Sequence, residues 1–135
     1  MKMLLIVLGL ALLLLVACNN DSSEVGVDNS TPAPVPAEFA GQTNPLGAGA
    51  ATAGAEVFKN NCEACHGPQG HGDGPAGAAL DPRPKNLAVF APAVGDDYLY
   101  WRINTGKEGT SMVAWKGVLT EEQIWQVISF IRTLK

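Results

Sequence analysis

The sequence predicts a small all-α domain at the carboxyl-terminal end of a 135-residue chain. Apolar side chains recur at helical spacing in two stretches, 51–62 and 119–134, and a third helix is indicated between Asp96 and Asn104. Strand patterns that alternate with helical ones, as in a βαβ unit, are not visible. We therefore expect one helical domain over residues 52–135, preceded by segments of a different character.

The charge balance and the cysteine count limit the classes of function. Nine basic and thirteen acidic side chains give a formal net charge of −4. This balance argues against nucleic-acid binding, which uses basic patches, and it is compatible with a protein partner that has a basic docking surface. Three cysteines make an odd number, so Cys18 needs an explanation separate from that of Cys62 and Cys65.

Residues 1–17 have the features of an export signal. Lys2 precedes an almost unbroken apolar run, which at about 15 residues is shorter than the roughly 20 needed to cross a bilayer as a helix. The run ends in Leu15-Val16-Ala17-Cys18, which resembles a bacterial lipobox. The resemblance implies cleavage before Cys18, lipid on that cysteine, and anchoring at the extracytoplasmic (periplasmic) face of the cell membrane. The alternative is an uncleaved anchor with a buried, free Cys18.

Residues 18–51 are predicted to form a flexible, lipid-anchored linker. They contain Pro32, Pro34 and Pro36 at alternating positions and then a Gly/Ala-rich stretch, with few large apolar side chains to bury. A coil of roughly 30 residues has an r.m.s. span on the order of 30 Å and a maximum reach of about 100 Å. The other interpretation is a segment that packs along a partner subunit.

The domain contains the motif Cys62-Glu63-Ala64-Cys65-His66. Two thiols three positions apart on one helical turn can both add to the vinyl groups of a porphyrin, and the following imidazole can then bind the iron. The motif therefore predicts one covalently bound haem c. A redox dithiol and half of a zinc site are the alternatives, although the first belongs beside a βαβ pattern and the second needs four ligands.

Several residues outside the motif are candidates for the surroundings of a haem. The carbonyl of Pro82 or Pro84 could accept a hydrogen bond from the axial histidine, which holds the ring in place. Arg102 could neutralise a haem propionate, or its stem could pack flat with an exposed head. Trp115 is a candidate wall residue. His71 lies in a glycine-rich loop only five residues after His66, so we expect it to be exposed.

The helix between Asp96 and Asn104 has start and stop signals in the sequence. Asp96 or Asp97 can cap its beginning, and Gly106 can end it. Leu99 and Ile103 should face inward.

The final helix has the clearest signals in the chain. Thr120 is a predicted N-cap with Gln123 at the capping-box position, and Leu119 can pack on Ile124. An apolar stripe follows, formed by Ile124, Val127, Ile128, Ile131 and Leu134. We expect this stripe to contact both the first helix and the cofactor.

Met112 lies in a loop between these two helices. Because Met1 and Met3 belong to the signal, Met112 is the only methionine of the mature chain. A thioether at that position can complete the His/Met iron coordination that raises the potential of cytochromes c. The competing interpretation is a packing residue.

Together these residues resemble a class I cytochrome c of the small bacterial single-haem type, over about 80 residues that begin at Gly54. The resemblance implies amino- and carboxyl-terminal helices that cross around the haem, with Gly54 and Phe58 packed on Val127 and Phe130. It implies thioethers at Cys62 and Cys65, and axial ligation by His66 and Met112. In similar sequences the ligand methionine is commonly followed by proline, whereas Val113 follows it here.

The expected function is one-electron transfer in a respiratory or photosynthetic chain, with redox proteins as partners and no catalytic residues. Two alternatives stay open: a cytochrome subunit fixed within a larger quinol-oxidising membrane complex, and a haem sensor or peroxidase in which the methionine ligand is labile.

Overall fold

The computed structural model describes residues 31–135, so the signal sequence, Cys18 and the first part of the predicted linker lie outside the described residues. The helices are α1 (Ala51–Asn61), α2 (Glu63–His66), α3 (Leu87–Phe90), α4 (Asp96–Thr105) and α5 (Glu121–Ile131), with short 3₁₀ turns at Ala48–Ala50, Gly77–Ala79 and Ala91–Ala93. Within 31–135 there is no β-strand, only an isolated bridge between Lys116 and Leu119. The predicted all-α class is confirmed. No helix in this part of the chain is long and apolar enough to cross a membrane.

The first and last helices, α1 and α5, cross at Gly54, as predicted. A Cβ atom at this position would overlap the backbone carbonyl of Gln126 and lie 3.0 Å from the Cβ atom of Phe130. One turn further along α1, the rings of Phe58 and Phe130 meet with their centroids 5.0 Å apart. Glycine is therefore needed at position 54 because it lets the two backbones approach closely.

The core lies where α4 joins this helix pair. Its most completely buried large side chains are Phe58, Ile124, Val127 and Ile128. The ring of Tyr100 on α4 stacks on Trp125 of α5, with centroids 4.4 Å apart. These contacts use the α5 stripe that the sequence analysis identified.

The ends of the helices follow the sequence signals in part. The Thr120 side chain accepts from the Gln123 N–H and the Gln123 side chain accepts from the Thr120 N–H, which confirms the capping box. Helix α4 ends before Gly106, as predicted, but the expected cap is wrong because the N-cap residue is Gly95, with no side-chain cap. The carboxylates of Asp96 and Asp97 instead take part in long-range contacts with other segments.

Residues 36–47 pack against the helices, and we call them the N-terminal strap. Phe39 lies against Tyr100 with ring centroids 6.2 Å apart. The Asn44 amide donates at 2.9 Å to the Trp125 carbonyl and at 2.9 Å to the Ser129 hydroxyl. These residues belong to the stretch that the sequence analysis assigned to a flexible linker. They are held because one aromatic ring and one amide find specific partners, although the composition is poor in apolar side chains.

Two strap backbone groups also bind the start of α4. The N–H of Gly41 donates to Asp97 at 3.0 Å, and the N–H of Asn44 donates to Asp96 at 3.1 Å. Asp96 in addition accepts from Arg132 at 2.7 Å. The guanidinium of Arg132 also donates to the backbone carbonyls of Ala91 and Val94. Strap, α4 and the end of α5 are thus joined by one polar network.

Candidate haem site

A large, mostly apolar cavity lies beside the Cys-x-x-Cys-His motif. Its walls come from α1 and α2, from segment 80–90, from α4, from the loop 107–115 and from Ile131 on α5. The cavity has a volume of about 200 Å³. Apolar walls with a few convergent polar groups are typical of a cofactor pocket.

The two thiols of the motif face this cavity. Cys62 is both the C-cap of α1 and the N-cap of α2. The two helices therefore meet at the first thiol, and Cys65 follows one turn later. Both cysteines are free, and both line the cavity. Burial, and next the neighbouring Cys65, raise the pKa of the Cys62 thiol to about 12.

The raised pKa bears on the redox-dithiol alternative. Catalytic dithiols need a thiolate, which a lowered pKa supplies. At Cys62 the shift has the opposite sign. A buried, neutral thiol at the wall of a large cavity fits a thioether attachment better than a thiol–disulfide exchange site.

His66 ends α2 and also lines the cavity. Burial lowers the pKa of its imidazole, and an interaction with the backbone of Lys85 partly offsets that effect. By the usual limits of distance and angle, the buried Nδ1 atom has no hydrogen-bond partner among the described residues. A neutral imidazole is the form that binds metals.

The glycine-rich loop after the motif holds His66 in place through its backbone. The N–H of Gly72 donates to the His66 carbonyl at 2.8 Å, and the N–H of Ala76 donates to the Ala64 carbonyl at 2.9 Å. The loop therefore folds back over α2, a contact that the sequence analysis did not anticipate. His71 points out of this loop as an exposed residue, as expected, with its Nε2 atom 3.3 Å from the Lys135 carbonyl.

Met112 lines the same cavity from the loop between α4 and α5. It is half-buried, whereas Val113, the next residue, is 62% exposed. The structure thus brings all four residues of the predicted haem set, Cys62, Cys65, His66 and Met112, to one cavity. Two thiols, an imidazole kept neutral by burial and a thioether around apolar walls form a donor set that fits haem c.

The less certain sequence candidates also reach the cavity. Pro82, Pro84, Arg102 and Trp115 are all lining residues. The backbone of Lys85, the residue after the second proline, also acts on the His66 ring. Pro82, Pro84 and Lys85 belong to one extended segment, and no sequence signal distinguishes their carbonyls.

Arg102 has the packed stem of one predicted arrangement, and pairing with a propionate stays a prediction. Its side chain lines the cavity, and its guanidinium carbon lies 3.6 Å from the centroid of the Trp101 ring. Its Nε atom also donates to the Tyr98 hydroxyl at 3.4 Å. The stem therefore forms part of the wall while the charge is held at the rim by an aromatic face.

Charge at the cavity differs from the charge of the chain as a whole. In the described part of the chain the lining includes Lys85, Arg102 and Lys107 and no Asp or Glu, although the protein carries a net −4. Neither lysine belongs to a sequence motif, so neither could be predicted as a lining residue. Cationic groups at the rim are suited to the carboxylates of a haem.

Comparison with known proteins also indicates a haem-binding domain. The family model described as cytochrome C oxidase, cbb3-type, subunit III matches residues 49–131. The chain belongs to this cytochrome c family. Proteins of the family bind haem c covalently and act in electron transfer.

Two individual proteins show how far the similarity extends. The chain is 35% identical over 97 residues to the cbb3-type cytochrome c oxidase subunit FixPc of Rhizobium leguminosarum bv. viciae, a match that covers 70% of this chain and 31% of that protein. The chain thus spans about a third of the length of this curated relative. In structure, it superposes on a chain of the reducing HAO-like protein complex of Kuenenia stuttgartiensis with a TM-score of 0.55 at 20% identity, over 78% of this chain and 48% of the other. That likeness concerns the fold alone.

Proposed function

We propose that this protein is a membrane-tethered, single-haem cytochrome that carries one electron at a time between redox partners on the extracytoplasmic side of the cell membrane. The observation that carries the proposal is that two thiols, one imidazole and one thioether line a single apolar cavity. Cys62 and Cys65 would form the thioether links. His66, at the end of α2, and Met112, in the loop between α4 and α5, would bind the iron. When bound, haem c supplies a one-electron couple between ferrous and ferric iron.

The chain's own residues keep water out and hold the ligands. Phe58, Leu99, Ile103 and Ile131 belong to the core and also line the cavity, so the site is continuous with the packed interior. A dry environment and a His/Met ligand set both favour the ferrous state and raise the potential. Arg102, stacked on Trp101 at the rim, would pair with a propionate.

Replacement of Met112 tests this proposal. In Met112→Ala we expect the far-red band of methionine-bound ferric haem to disappear and carbon monoxide to bind the reduced protein rapidly. Val118→Ala is the matched control, because Val118 is exposed, does not line the cavity and should leave both properties unchanged. If the wild-type protein lacks the band and binds carbon monoxide rapidly, the carrier assignment fails and the sensor or peroxidase alternative is favoured.

The N-terminal strap and the cavity lie on different sides of α4. On α4 the strap contacts Asp96, Asp97 and Tyr100, whereas the cavity is lined by Tyr98, Leu99, Arg102 and Ile103. At about 100° of rotation per residue these two sets lie on different faces of the helix. The strap therefore does not cover the cavity side of α4, and the haem stays accessible to partners.

The strap also shortens the reach of the tether. If residues 36–47 stay bound to the helices, only residues 18–35 can act as a spacer, with a maximum extension of about 60 Å instead of about 100 Å. Protease treatment of native membranes tests this. We expect cleavage before Pro36 and release of a soluble haem domain that retains Phe39 and Asn44; cleavage within 36–47 would argue for a detached linker.

A second candidate is a cytochrome subunit fixed within a membrane complex, and the name of the cbb3-type oxidase relative favours it. That name directs the proposal to an oxidase rather than to the quinol-oxidising assembly considered from the sequence. Mild detergent extraction followed by identification of co-purifying proteins distinguishes the two candidates. A stable association with oxidase subunits and protection of residues 18–35 from protease favour the subunit, whereas recovery of the cytochrome alone favours the free carrier.

The partner's docking surface follows from the charge around the cavity. The net charge of the chain suggested a basic partner surface, but the cavity rim carries cations and no carboxylate among the described lining residues. We propose that these cations pair with the carboxylates of the bound haem, so that the net negative charge of the chain still favours a partner with a basic docking surface. The salt dependence of electron transfer to a purified partner, before and after Lys107→Gln, tests this assignment.

A further inference from the structure

We infer that Thr110 is a positioning residue that holds the loop carrying Met112 in place. The inference rests on the proposed role of Met112 as an iron ligand and concerns what keeps that ligand bound. Similar cytochromes commonly have proline after the ligand methionine, and here the next residue is Val113. Without a proline, the stiffness of the loop has to come from its hydrogen bonds.

The Thr110 side chain makes two hydrogen bonds that cross the loop. Its hydroxyl donates to the Lys107 carbonyl at 2.7 Å and accepts from the Met112 N–H at 3.2 Å. The N–H of Lys107 in turn donates to the Met112 carbonyl at 3.0 Å. The Met112 N–H is therefore held by the Thr110 hydroxyl. The Met112 carbonyl is held by the N–H of Lys107, the residue whose carbonyl accepts from that hydroxyl.

The remainder of the loop is fastened to α4 by backbone contacts. The N–H groups of Trp115 and Lys116 donate to the carbonyls of Ile103 and Asn104 at 3.0 Å and 3.1 Å. At Gly106, which has a φ of +74°, an added Cβ would lie 2.6 Å from the Met112 carbonyl. These contacts fix where the loop begins and returns. The turn between them is held by the Thr110 hydroxyl and by the Thr110 N–H, which donates to the Lys107 carbonyl at 3.1 Å.

Removal of the hydroxyl should weaken the hold on Met112 without touching the ligand itself. The Met112 N–H would lose its partner, and the loop could then swing the thioether away from the cavity more often. A net hydrogen bond contributes about 0.5–1.5 kcal/mol, which corresponds to roughly a two- to tenfold change in an equilibrium. We expect the fraction of protein with the methionine displaced to rise by that factor.

The test compares Thr110→Val, Thr110→Ser and Thr133→Val in the full haem-loaded protein. Thr110→Val keeps the branched shape and removes the hydroxyl, and Thr110→Ser restores a hydroxyl. Thr133→Val is the matched control, because its hydroxyl also donates to a backbone carbonyl, that of Phe130 at 2.7 Å, but in the exposed segment after α5. The measurements are the rate of carbon monoxide binding to the reduced protein and the far-red band of the oxidised protein during titration with imidazole.

We expect Thr110→Val to bind carbon monoxide about two- to tenfold faster than wild type, and to lose the band at a lower imidazole concentration. Thr110→Ser and Thr133→Val should behave like wild type. Thr110→Ala, with the same expectation as Thr110→Val, covers the case in which the valine variant does not fold.

Two results overturn the inference: a hydroxyl-free Thr110 variant that matches Thr133→Val, or a serine variant as fast as the valine variant, since that would assign the effect to packing. The failure of the proposed function itself is recognised separately, because then the wild-type protein would lack the band before any substitution at Thr110.

Discussion

Gly54→Ala tests the contact on which the fold depends most directly. The new Cβ atom would overlap the Gln126 carbonyl and lie 3.0 Å from the Cβ atom of Phe130. Neither atom can give way easily, because one is helix backbone and the other is the first atom of a core side chain. Helices α1 and α5 would have to separate, and the Phe58–Phe130 contact, with centroids 5.0 Å apart, would loosen with them.

The expected change in the free energy of unfolding of Gly54→Ala has three contributions. Overpacking of a close contact costs about 1–3 kcal/mol, and a loosened aromatic pair costs about 0.5–1.5 kcal/mol. Replacement of a glycine inside a helix by alanine returns up to about 1 kcal/mol. The net loss in the free energy of unfolding is therefore about 2 kcal/mol, which lowers the melting temperature of a domain of this size by roughly 8–16 °C.

The assay is thermal unfolding of the haem-loaded protein followed by circular dichroism at 222 nm. Gly49→Ala is the matched control, because a Cβ atom there meets nothing within 4 Å and its backbone does not have a positive φ. We expect the control to melt close to wild type. If Gly54→Ala melts at the same temperature as Gly49→Ala, the close approach of α1 and α5 described above is wrong.

Two further predictions concern the strap and the cofactor. Asn44→Ala removes two hydrogen bonds to α5 and should lower the free energy of unfolding by about 1–3 kcal/mol, whereas Gln42→Ala, which loses only a bond within the strap, should have little effect; equal denaturant midpoints for the two would contradict the docked strap. The double variant Cys62→Ala, Cys65→Ala should be largely unfolded by circular dichroism, because a domain of this size has a marginal core without its covalent cofactor. A cooperative, native-like melt of that variant would refute the dependence of the fold on the covalent cofactor.

The helices could be predicted from the sequence because their signals are local. The α5 stripe and the Thr120 capping box each depend on residues a few positions apart, and the crossing at Gly54 follows from the resemblance to class I cytochromes c. The haem motif is likewise contiguous. Local spacing was therefore sufficient for α1, α4 and α5 and for the haem motif.

The strap could not be predicted because its signals are neither periodic nor local. Asn44 reaches partners 81 and 85 positions away, and a single asparagine in a polar stretch looks like any loop residue. The cap of α4 was predicted wrongly for a related reason. Asp96 and Asp97 have the right side chains for capping, but the strap and Arg132 compete for their carboxylates, and only the folded chain shows that competition.

Stability and function depend on the same side chains in this domain. Leu87, Met112 and Trp115 are partly buried side chains that pack against the core and also line the cavity, so each has one packed side and one side that a cofactor would cover. Burial of that second side contributes about 25 cal/mol for each Å² of apolar surface. Loading of the site therefore completes the core, and loss of the covalent links removes a wall from it. For this reason we expect the haem and the fold to be gained and lost together, and not the cofactor to bind a domain that is already stable.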